Sequence, residues 1–349
     1  MSFGEETKKA AKRGIVCAGN LIVDRVHTLS YWPEEGNLAE ILHQDIGVGG
    51  GAVNVACDLA SLGLPARVAL AGLTGADADG DFLAERVAAA GVNIAAVKQT
   101  REAATSHTHV MSLPGRSRTF FYHGGASDRL TADKIDPGLF ATVGYKLFYL
   151  GYLMLLPGLD RLDAQGRTGA SHLLERAKAA GLETAVDFVS SENPDFAAEV
   201  SASLPWCDHA IINEVEAGRV AQLPLRKLNG HLDLDLMRRA AEILIKLGVR
   251  KNVIIHAPEL SLWQAGDIAP LITRSLRVPP ETIVSPVGAG DAFCAATLFG
   301  LHEGWGREKT AAIAHRAAAH CLTGATATDG IPTMDLLLQE LEKNASANA

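Results

Sequence analysis

One segment of the chain combines an acidic side chain with a glycine turn at the start of a helix. In Val284–Leu298, the run Gly288-Ala289-Gly290 leads into a helix predicted from near Ala292. Backbone N–H groups at a helix start have no partner within the helix, and the helix dipole adds positive potential, so this turn suits a phosphate or a developing anion. The same dipole favours an ionised Asp291, which can accept a proton from an attacking hydroxyl, as a kinase requires. The segment is also consistent with an aspartate that only caps a helix after a glycine turn.

A second glycine cluster, Gly47–Asn54, reads GVGGGAVN and contains the GxGxxA pattern of dinucleotide-binding folds. In those folds the pattern follows the first strand, and an acidic residue stands about 20 positions later at the end of the next strand. Here it follows an irregular segment, and the next strand ends at Ala69-Leu70-Ala71-Gly72 without an acid. A glycine run that opens a helix, with Asn54 in the first turn, instead suits close approach of the backbone to a polyhydroxy ligand.

A third candidate follows the predicted strand His209–Ile212. Ligands of parallel α/β sheets bind at the carboxyl ends of strands, where Asn213 and Glu216 would share one face of a starting helix. The two side chains can hold metal-bound waters and phosphate oxygens. They also form the pattern of a helix-capping box, which is the interpretation that the pair favours when taken alone.

Other mechanisms lack their sequence signatures. The chain contains no GxxxxGK[ST] phosphate loop, no HRD or DFG motif of protein kinases and no GxSxG nucleophile elbow. The pair His107-x-His109 could bind zinc from one strand face, but no third ligand stands nearby, which favours a solvated or packing role.

The elements that position these residues alternate between strands and helices. This order predicts βαβ units and an α/β fold: a doubly wound, mostly parallel sheet with helices on both faces. The predicted strands are Gly14–Val23, Ala66–Ala71, Lys146–Leu150, Glu183–Asp187, His209–Ile212 and Asn252–His256. The predicted helices are Val53–Leu62, Asp79–Ala90, Ala170–Ala180, Pro194–Ser201, Asp235–Leu247, Ala292–Leu301 and Glu308–Cys321.

Two segments interrupt this alternation. Val26–Ile46 and Thr105–Tyr122 resemble strand pairs, with turns at Pro33–Gly36 and Pro114–Gly115. We expect them to form a small β-sheet lid, from about 26–46 and 105–123, that projects from the main body and covers a ligand. No composition break divides the rest of the chain, so we expect a polar N-terminal tail over 1–13 and one domain over 14–345.

Composition limits the possible partners and compartment. The 349 residues include 40 acidic and 32 basic side chains, a net charge of −8, which argues against a nucleic-acid or membrane-surface partner. The five cysteines form no CxxC pair, which favours reduced thiols. The polar start of the chain is unlike a signal peptide, and no apolar stretch reaches the ~20 residues of a membrane span. These features predict a soluble, cytoplasmic protein.

Taken together, the motifs resemble the ribokinase-like (PfkB) family of sugar and nucleoside kinases, over about Gly14 to Pro332. Both family motifs are present, as GGGAVNVACDLASLG at Gly49–Gly63 and SPVGAGDAFCAATL at Ser285–Leu298. The turn Gly72–Gly80 resembles the family's GxxGxDxxG, and Asn213-x-x-Glu216 resembles its NxxE motif.

The resemblance implies Mg²⁺-dependent transfer of the ATP γ-phosphate to a hydroxyl, by a doubly wound α/β domain whose lid often forms a dimer interface. Asp291 would be the base, and the N–H groups of Gly288, Ala289 and Gly290 would form the anion hole. Asn213 would help to organise magnesium, which Glu216 would hold through water. The residues implied to bind the substrate are Asn20 and Asp24 in GNLIVD, Gly50, Gly51 and Asn54, with Asp187 as a further candidate.

The chain departs from the family at two places. Ser285-Pro286-Val287 lacks the carboxylate that commonly precedes GAGD and supports a monovalent cation, which leaves potassium activation in doubt. The nucleotide loop, usually TxGxxG, reads His256-Ala257-Pro258-Glu259-Leu260-Ser261, so the adenine pocket and the phosphoryl donor stay open. We expect nucleotide contacts from His256 and Glu259, and from His315, which is near where the family often has an asparagine.

The sequence therefore predicts an ATP-dependent kinase of a small neutral sugar that acts as a homodimer through its lid. Two alternatives remain at this point. One is a nucleoside kinase of the adenosine kinase type, and the other is a catalytically silent protein that senses a sugar or nucleotide on the same fold.

Overall fold

The computed structural model describes residues 13–64, 68–113 and 118–347, with side chains described as far as 343. Most of the expected tail over 1–13 and the turn expected at Pro114–Gly115 lie outside these residues. Within them the chain forms thirteen strands and eleven α-helices. No helix of the described residues combines the length and apolar character needed to cross a membrane.

The strands are β1 (Ile15–Gly19), β2 (Ile22–Leu29), β3 (Ile41–Gly49), β4 (Val68–Gly75), β5 (Asn93–Thr100), β6 (Ser106–Ser112), β7 (Thr119–His123), β8 (Leu147–Leu153), β9 (Glu183–Phe188), β10 (His209–Asn213), β11 (Asn252–His256), β12 (Leu260–Ala265) and β13 (Ile268–Arg274). The α-helices are α1 (Gly51–Ser61), α2 (Ala78–Ala89), α3 (Pro137–Val143), α4 (Pro157–Asp160), α5 (Gly169–Ala179), α6 (Phe196–Ser203), α7 (Glu214–Ala221), α8 (Leu234–Lys246), α9 (Ala289–Glu303), α10 (Arg307–Cys321) and α11 (Met334–Ala347). Single 3₁₀ turns lie at Ser127–Arg129, Ala132–Lys134, Leu204–Trp206 and Pro280–Thr282.

Nine strands form the main sheet, in the order β13-β12-β11-β10-β9-β8-β1-β4-β5. The seven strands from β11 to β5 are parallel, and β12 and β13 add an antiparallel edge. The expected α/β class with a mostly parallel sheet is confirmed. Because the central strands are parallel, the residues that follow β1, β8, β9, β10 and β11 emerge at the same edge.

Helices cover both faces of the main sheet. Side chains of β1 alternate between two apolar cores, with Val16 and Ala18 in one and Ile15 and Cys17 in the other. Helices α3 to α8 pack against the first core, and α1, α2, α9, α10 and α11 pack against the second. A strand buried on both faces needs apolar residues at every position, which explains the continuous apolar run at the start of the chain.

The run expected as one strand over Gly14–Val23 is divided between two sheets, which corrects that prediction. After Gly19 the chain leaves the main sheet, and β2 begins at Ile22 in the small one. Gly19 has φ +145, and a Cβ on it would lie 2.5 Å from the carbonyl oxygen of Gly151 on β8. Only glycine fits this crossing between the sheets.

The small sheet has four strands in the order β3-β2-β6-β7. Strand β2 pairs antiparallel with β3 and parallel with β6, and β6 pairs antiparallel with β7. The two segments expected to break the alternation therefore do form a separate sheet. Residues Asp24, Thr108 and Tyr122 are in register across it and share one face.

Candidate active site

The start of α9 is an exposed set of backbone donors shaped by Gly288. This residue is the helix N-cap with φ 88, and the first intrahelical bond runs from the N–H of Ala292 to its carbonyl, 2.8 Å. The helix therefore begins at Ala289, three residues earlier than expected, because the small residues join its first turn instead of preceding it. The N–H groups ahead of Ala292 make no bond within the helix. They point along the axis of α9 at its positive end.

Asp291 stands in the first turn of α9 and is almost completely buried. Its Oδ2 accepts hydrogen bonds from Nδ2 of Asn54 (2.8 Å) and from the hydroxyl of Tyr152 (3.0 Å). Burial raises the pKa of Asp291 to about 6, against these two bonds, which lower it. The helix dipole alone predicts the opposite, a pKa of Asp291 below the ordinary value, and burial outweighs it. The carboxyl still titrates below neutral pH and is mostly ionised at pH 7.

A cavity of about 250 Å³ brings Asp291 together with residues from the ends of the central strands. It is lined by Tyr152, Asp187, Phe188, Val189, Ser190, Ile211, Asn213, Glu216, His256, Gly288, Gly290, Asp291 and Cys294. The expected catalytic turn, the candidate Asp187 and the Asn213–Glu216 pair thus share one space. This is the edge of the sheet at which the parallel strands end.

Asp187 lies at the end of β9 and holds two internal hydrogen bonds. Its Oδ2 accepts from the hydroxyl of Tyr149 (2.7 Å), and its Oδ1 accepts from the backbone N–H of Tyr152 (2.6 Å). Burial, together with the nearby charge of Asp291, raises the pKa of Asp187 well above its ordinary value. A buried acid whose pKa is raised by burial and by a neighbouring carboxylate is one that a bound cation would stabilise in its charged form.

Asn213 and Glu216 form the capping box, which is the interpretation that the sequence of the pair alone favours. Oδ1 of Asn213 accepts from the N–H groups of Val215 and Glu216 (2.9 Å each), and Oε2 of Glu216 accepts from the N–H of Asn213 (3.0 Å). Oε1 of Glu216 also accepts from the hydroxyl of Ser190 (3.0 Å). Both residues nevertheless line the cavity, and burial raises the pKa of Glu216 to about 7. Capping therefore fixes this carboxylate at the cavity wall.

The expected substrate residues near α1 contact one another, and one of them, Asn54, reaches Asp291. Oδ1 of Asn20 accepts from the N–H of Gly51 (3.1 Å), and its Nδ2 is buried without a hydrogen-bond partner among the described residues. Gly50 is the N-cap of α1 with φ 92. Asn54, expected to bind substrate hydroxyls, donates its amide N–H to Asp291, so its contact in this structure is with that carboxylate.

Asp24 connects the small sheet to this region. A Cβ on Gly49 would lie 2.1 Å from a carboxylate oxygen of Asp24, so glycine is required for their close approach. Burial raises the pKa of Asp24 to about 6, while Thr108 and Arg118 oppose the shift. The charge of Asp24 in turn raises the pKa of Asp291.

The three expected nucleotide contacts are only partly brought together. His256 ends β11 and lines the cavity, with burial lowering its pKa to about 4. Glu259 is ion-paired with Arg226 (2.7 Å), and His315 binds the hydroxyl of Ser261 (2.9 Å) and packs on Phe293. Neither Glu259 nor His315 is among the described residues that line the cavity.

The histidine pair of the small sheet is engaged in packing. His109 shares a hydrogen bond of 2.9 Å with His27 and lies edge-on to His107. Among the described residues, no group of three or more His, Cys, Asp or Glu side chains has an arrangement that could hold a metal ion.

Sequence reasoning missed Tyr152 and Ser190, which contact Asp291 and Glu216. Both follow the ends of predicted strands, at the same edge as Asn213. Ligands of parallel α/β sheets bind at the carboxyl ends of the strands, and this rule, applied to every predicted strand, points to Tyr152 and Ser190 as it does to Asn213.

Comparisons with known proteins agree with this fold. A family model described as pfkB family carbohydrate kinase matches residues 12–334. The adenosine kinase of Schizosaccharomyces pombe is 24% identical over 286 residues, which are 81% of this chain and 82% of that protein. The 5-dehydro-2-deoxygluconokinase of Shouchella clausii is 24% identical over 298 residues, 82% of this chain and 84% of that protein. The structure of Arabidopsis thaliana ribokinase complexed with ribose and ATP is similar with a TM-score of 0.77 and 22% identity, covering 95% of this chain and 99% of that one.

Proposed function

The chain belongs to the pfkB family of carbohydrate kinases, and we propose that it transfers the γ-phosphoryl group of ATP to a hydroxyl of a small neutral sugar. A phosphotransferase with an alcohol acceptor is the activity that its family and its relatives share. The observation that carries the finer proposal is the position of Asp291. This buried carboxylate stands beside the free N–H groups of α9, at the wall of one cavity.

Asp291 would act as the general base. With a pKa of about 6 it is mostly ionised at pH 7 and can take the proton of an attacking hydroxyl. A base with a pKa close to the working pH combines a large ionised fraction with useful basicity. The hydroxyl would then attack the phosphorus in line, with its geometry set by the cavity walls.

The start of α9 would stabilise the charge of the transferring group. Its N–H groups at Gly288, Ala289 and Gly290 are fixed by the helix before the reaction, so they need no reorganisation as negative charge spreads over the phosphoryl oxygens. Gly290 has its α-carbon side open except for His256, whose ring carbon a Cβ would meet at 3.3 Å. A phosphate can therefore approach this turn closely.

The oxygen donors of the cavity fit magnesium. Asp187 and Glu216 present carboxylates at the cavity wall, and burial raises the pKa of each, which a cation would reverse. Mg²⁺ is usually held by one or two carboxylates together with waters and substrate phosphates. When bound, it would neutralise charge on the phosphates. Glu216, held by Asn213 and Ser190, would hold it through water.

The small sheet would exclude water from the reacting groups. Asp24 lies on the face shared with Thr108 and Tyr122, and the close contact with Gly49 ties that face to the start of α1. Excluding water would limit hydrolysis of ATP in the absence of an acceptor.

A nucleoside is the second candidate acceptor, and one feature of the small sheet favours it. Beside Asp24, residues Val26, Val110 and Phe120 are in register and make an apolar strip on the same face. Such a strip suits the flat face of a base. The adenosine kinase among the relatives is consistent with this candidate.

Product analysis tests the proposal. The protein is incubated with ATP and Mg²⁺ against matched panels of neutral sugars and nucleosides, and phosphate esters are identified by mass spectrometry. We expect a sugar phosphate as the best product. A nucleoside monophosphate would select the second candidate, and no ester from either panel would overturn the proposed function in favour of a silent sensing protein.

The small sheet is also our proposed homodimer contact. Its apolar side chains Ile41, Leu42, Ile46 and Phe121 are between 44% and 59% exposed, and exposed apolar edges promote association. We expect sedimentation velocity to give twice the mass of one chain. Leu42→Glu should yield a monomer, and Leu228→Glu, in an exposed loop between α7 and α8, should leave the dimer intact. A monomer before substitution would contradict this contact.

A further inference from the structure

Tyr152 has a backbone conformation that is unusual for its residue type. It has φ 57, the left-handed region that aromatic residues rarely adopt. The pairing of β8 with β9 shifts register between Leu150 and Leu153, at this residue. Such strain persists where surrounding contacts compensate for it, and it is often found at functional sites.

The contacts of Tyr152 link Asp291 and Asp187, two of the three acids that line the cavity. Its hydroxyl donates to Oδ2 of Asp291 (3.0 Å), and its backbone N–H donates to Oδ1 of Asp187 (2.6 Å). Both bonds depend on the turned backbone, because an extended strand would direct the side chain and the N–H elsewhere.

Gly51 supports the ring of this tyrosine. A Cβ on Gly51 would lie 2.3 Å from a ring carbon of Tyr152. Gly51 has no positive φ that would require glycine, so the ring itself accounts for the small residue. The first residue of α1 therefore serves as the surface against which Tyr152 packs.

From these contacts we propose that Tyr152 is a positioning residue, which holds Oδ2 of Asp291 so that Oδ1 faces the acceptor hydroxyl. Asn54 donates to the same oxygen, Oδ2, at 2.8 Å. Within the described residues no group donates a hydrogen bond to Oδ1, which leaves that oxygen for the substrate. This inference rests on the proposed function of Asp291 as the base.

The hydroxyl of Tyr152 has an energetic effect as well as a geometric one. A donor to the ionised carboxylate favours that form and lowers its pKa. Removing the donor raises the pKa of Asp291, so activity would be lost at a higher pH as the solution is acidified. A purely structural role would lower activity at every pH and would leave the acid limb of the pH profile in place.

Tyr152→Phe is the direct test, with Tyr149→Phe as its matched control. Both variants remove one buried hydroxyl from the same strand, but the hydroxyl of Tyr149 donates to Asp187 and not to Asp291. For Tyr152→Phe we expect the acid limb of kcat/KM to move up by about 0.5 to 1 pH unit, roughly the share of one hydrogen bond in a carboxylate's pKa. The plateau kcat should stay within about threefold, because the remaining base is slightly stronger. Tyr149→Phe should leave the limb in place.

A second variant covers the possibility that Tyr152→Phe unfolds. Gly51→Ala displaces the ring while keeping the hydroxyl, and should move the limb in the same direction. An unmoved limb in both variants, or an equal movement in Tyr149→Phe, would overturn the inference.

The titration of Asp291 can also be followed without turnover, by carboxyl ¹³C NMR assigned with Asp291→Asn. A higher pKa of Asp291 in Tyr152→Phe than in the unmodified protein would support the positioning role even if no acceptor were phosphorylated. Absence of turnover in the unmodified protein would contradict only the proposed function, so the two failures are distinguishable.

Discussion

Two glycine turns open two helices that meet at the candidate active site, and the groups that contact the two turns differ. Helix α1 begins after Gly50, with φ 92, and α9 begins after Gly288, with φ 88. In both, the N–H four residues later donates to the glycine carbonyl, at 2.9 Å from Asn54 and 2.8 Å from Ala292. Locally the two starts have the same construction.

Protein groups fill the start of α1 and leave the start of α9 open. At α1, Asn20 accepts the N–H of Gly51, and the ring of Tyr152 covers that glycine. At α9, Gly288 and Gly290 line the cavity. A glycine run therefore specifies a helix start whose backbone N–H groups are not covered by its own side chains. Whether a ligand can reach those N–H groups depends on the side chains that distant strands place next to them.

The largest expected effect comes from displacing the open start of α9. In Gly288→Ala the new Cβ would lie 2.4 Å from backbone atoms of Ala327, at a φ that alanine disfavours. We expect kcat/KM to fall by more than about 100-fold, because the donors of α9 move away from the phosphoryl group. Steady-state assays with saturating Mg²⁺ measure this.

Gly304→Ala is the matched control at the other end of α9, where the φ of +70 also disfavours alanine but a Cβ would meet no atom of the described residues within 4 Å. The start of α9 is not displaced in this variant, so we expect a loss within about tenfold. Equal, small losses in both variants would show that the open start of α9 does not bind the transferring group.

A smaller effect should follow from removing the side chain that contacts the start of α1. Asn20→Ala removes the acceptor of the Gly51 N–H, and an unsatisfied buried donor should lower the free energy of unfolding by about 1–2 kcal/mol. Urea denaturation measures the change. The control is Asn93→Ala, whose side chain accepts an exposed N–H from Ala95 and should cost less than about 0.5 kcal/mol. Equal losses in the free energy of unfolding for the two variants would show that the hydrogen bond from the Gly51 N–H to Asn20 does not stabilise the start of α1.

The smallest effect concerns Asp58, a buried acid on α1. Asp58, on α1, is fully buried, and neither of its carboxylate oxygens has a hydrogen-bond partner among the described residues. Burial, with the charge of Asp291, raises its pKa well above the ordinary value. Because the folded state holds this carboxyl protonated, Asp58 does not lower the free energy of unfolding below about pH 4, the pKa of the unfolded state. Above that pH it lowers the free energy of unfolding progressively, until the pH reaches the higher pKa of the folded state.

We therefore expect Asp58→Asn to stabilise the protein by about 1 kcal/mol or more at pH 8 and to have little effect at pH 4. Thermal unfolding at both pH values tests this, with Asp267→Asn as the control for the same substitution at an exposed position. A destabilised Asp58→Asn at pH 8 would indicate a partner for this carboxylate.

The fold was largely predictable because buried parallel strands and amphipathic helices leave strong local patterns. Asn252–His256 was predicted with its observed bounds, and α8 to within one residue at each end. The strands that no prediction included lie toward the edges of the main sheet: β5, half-exposed along its length, and β12 with β13, the latter containing Pro270. The edge strands β5 and β13 tolerate polar residues and proline, so their local pattern is weak. The inner strand β12 was missed because its start overlaps His256–Ser261, which was predicted to be a nucleotide loop.

The candidate site was predictable only as separate motifs. The glycine turns, Asp291 and the Asn213–Glu216 pair could be recognised by local sequence. Their connections could not, because Asn54, Tyr152 and Asp291 are separated by up to 237 positions and meet only through the strand order. Helix periodicity carries no information on such contacts, and the occupation of the two helix starts depends on them.

The most direct test of the account is the phosphoryl-transfer rate of Asp291→Asn in a single turnover at pH 8, where the native carboxyl is fully ionised. Asparagine keeps the shape of the side chain, so ATP binding, measured by calorimetry, should be retained. The account predicts a rate lower by more than about 100-fold, the usual loss when a general base is removed. A rate close to that of the unmodified protein would contradict the assignment of the base, and with it the role given to the open start of α9.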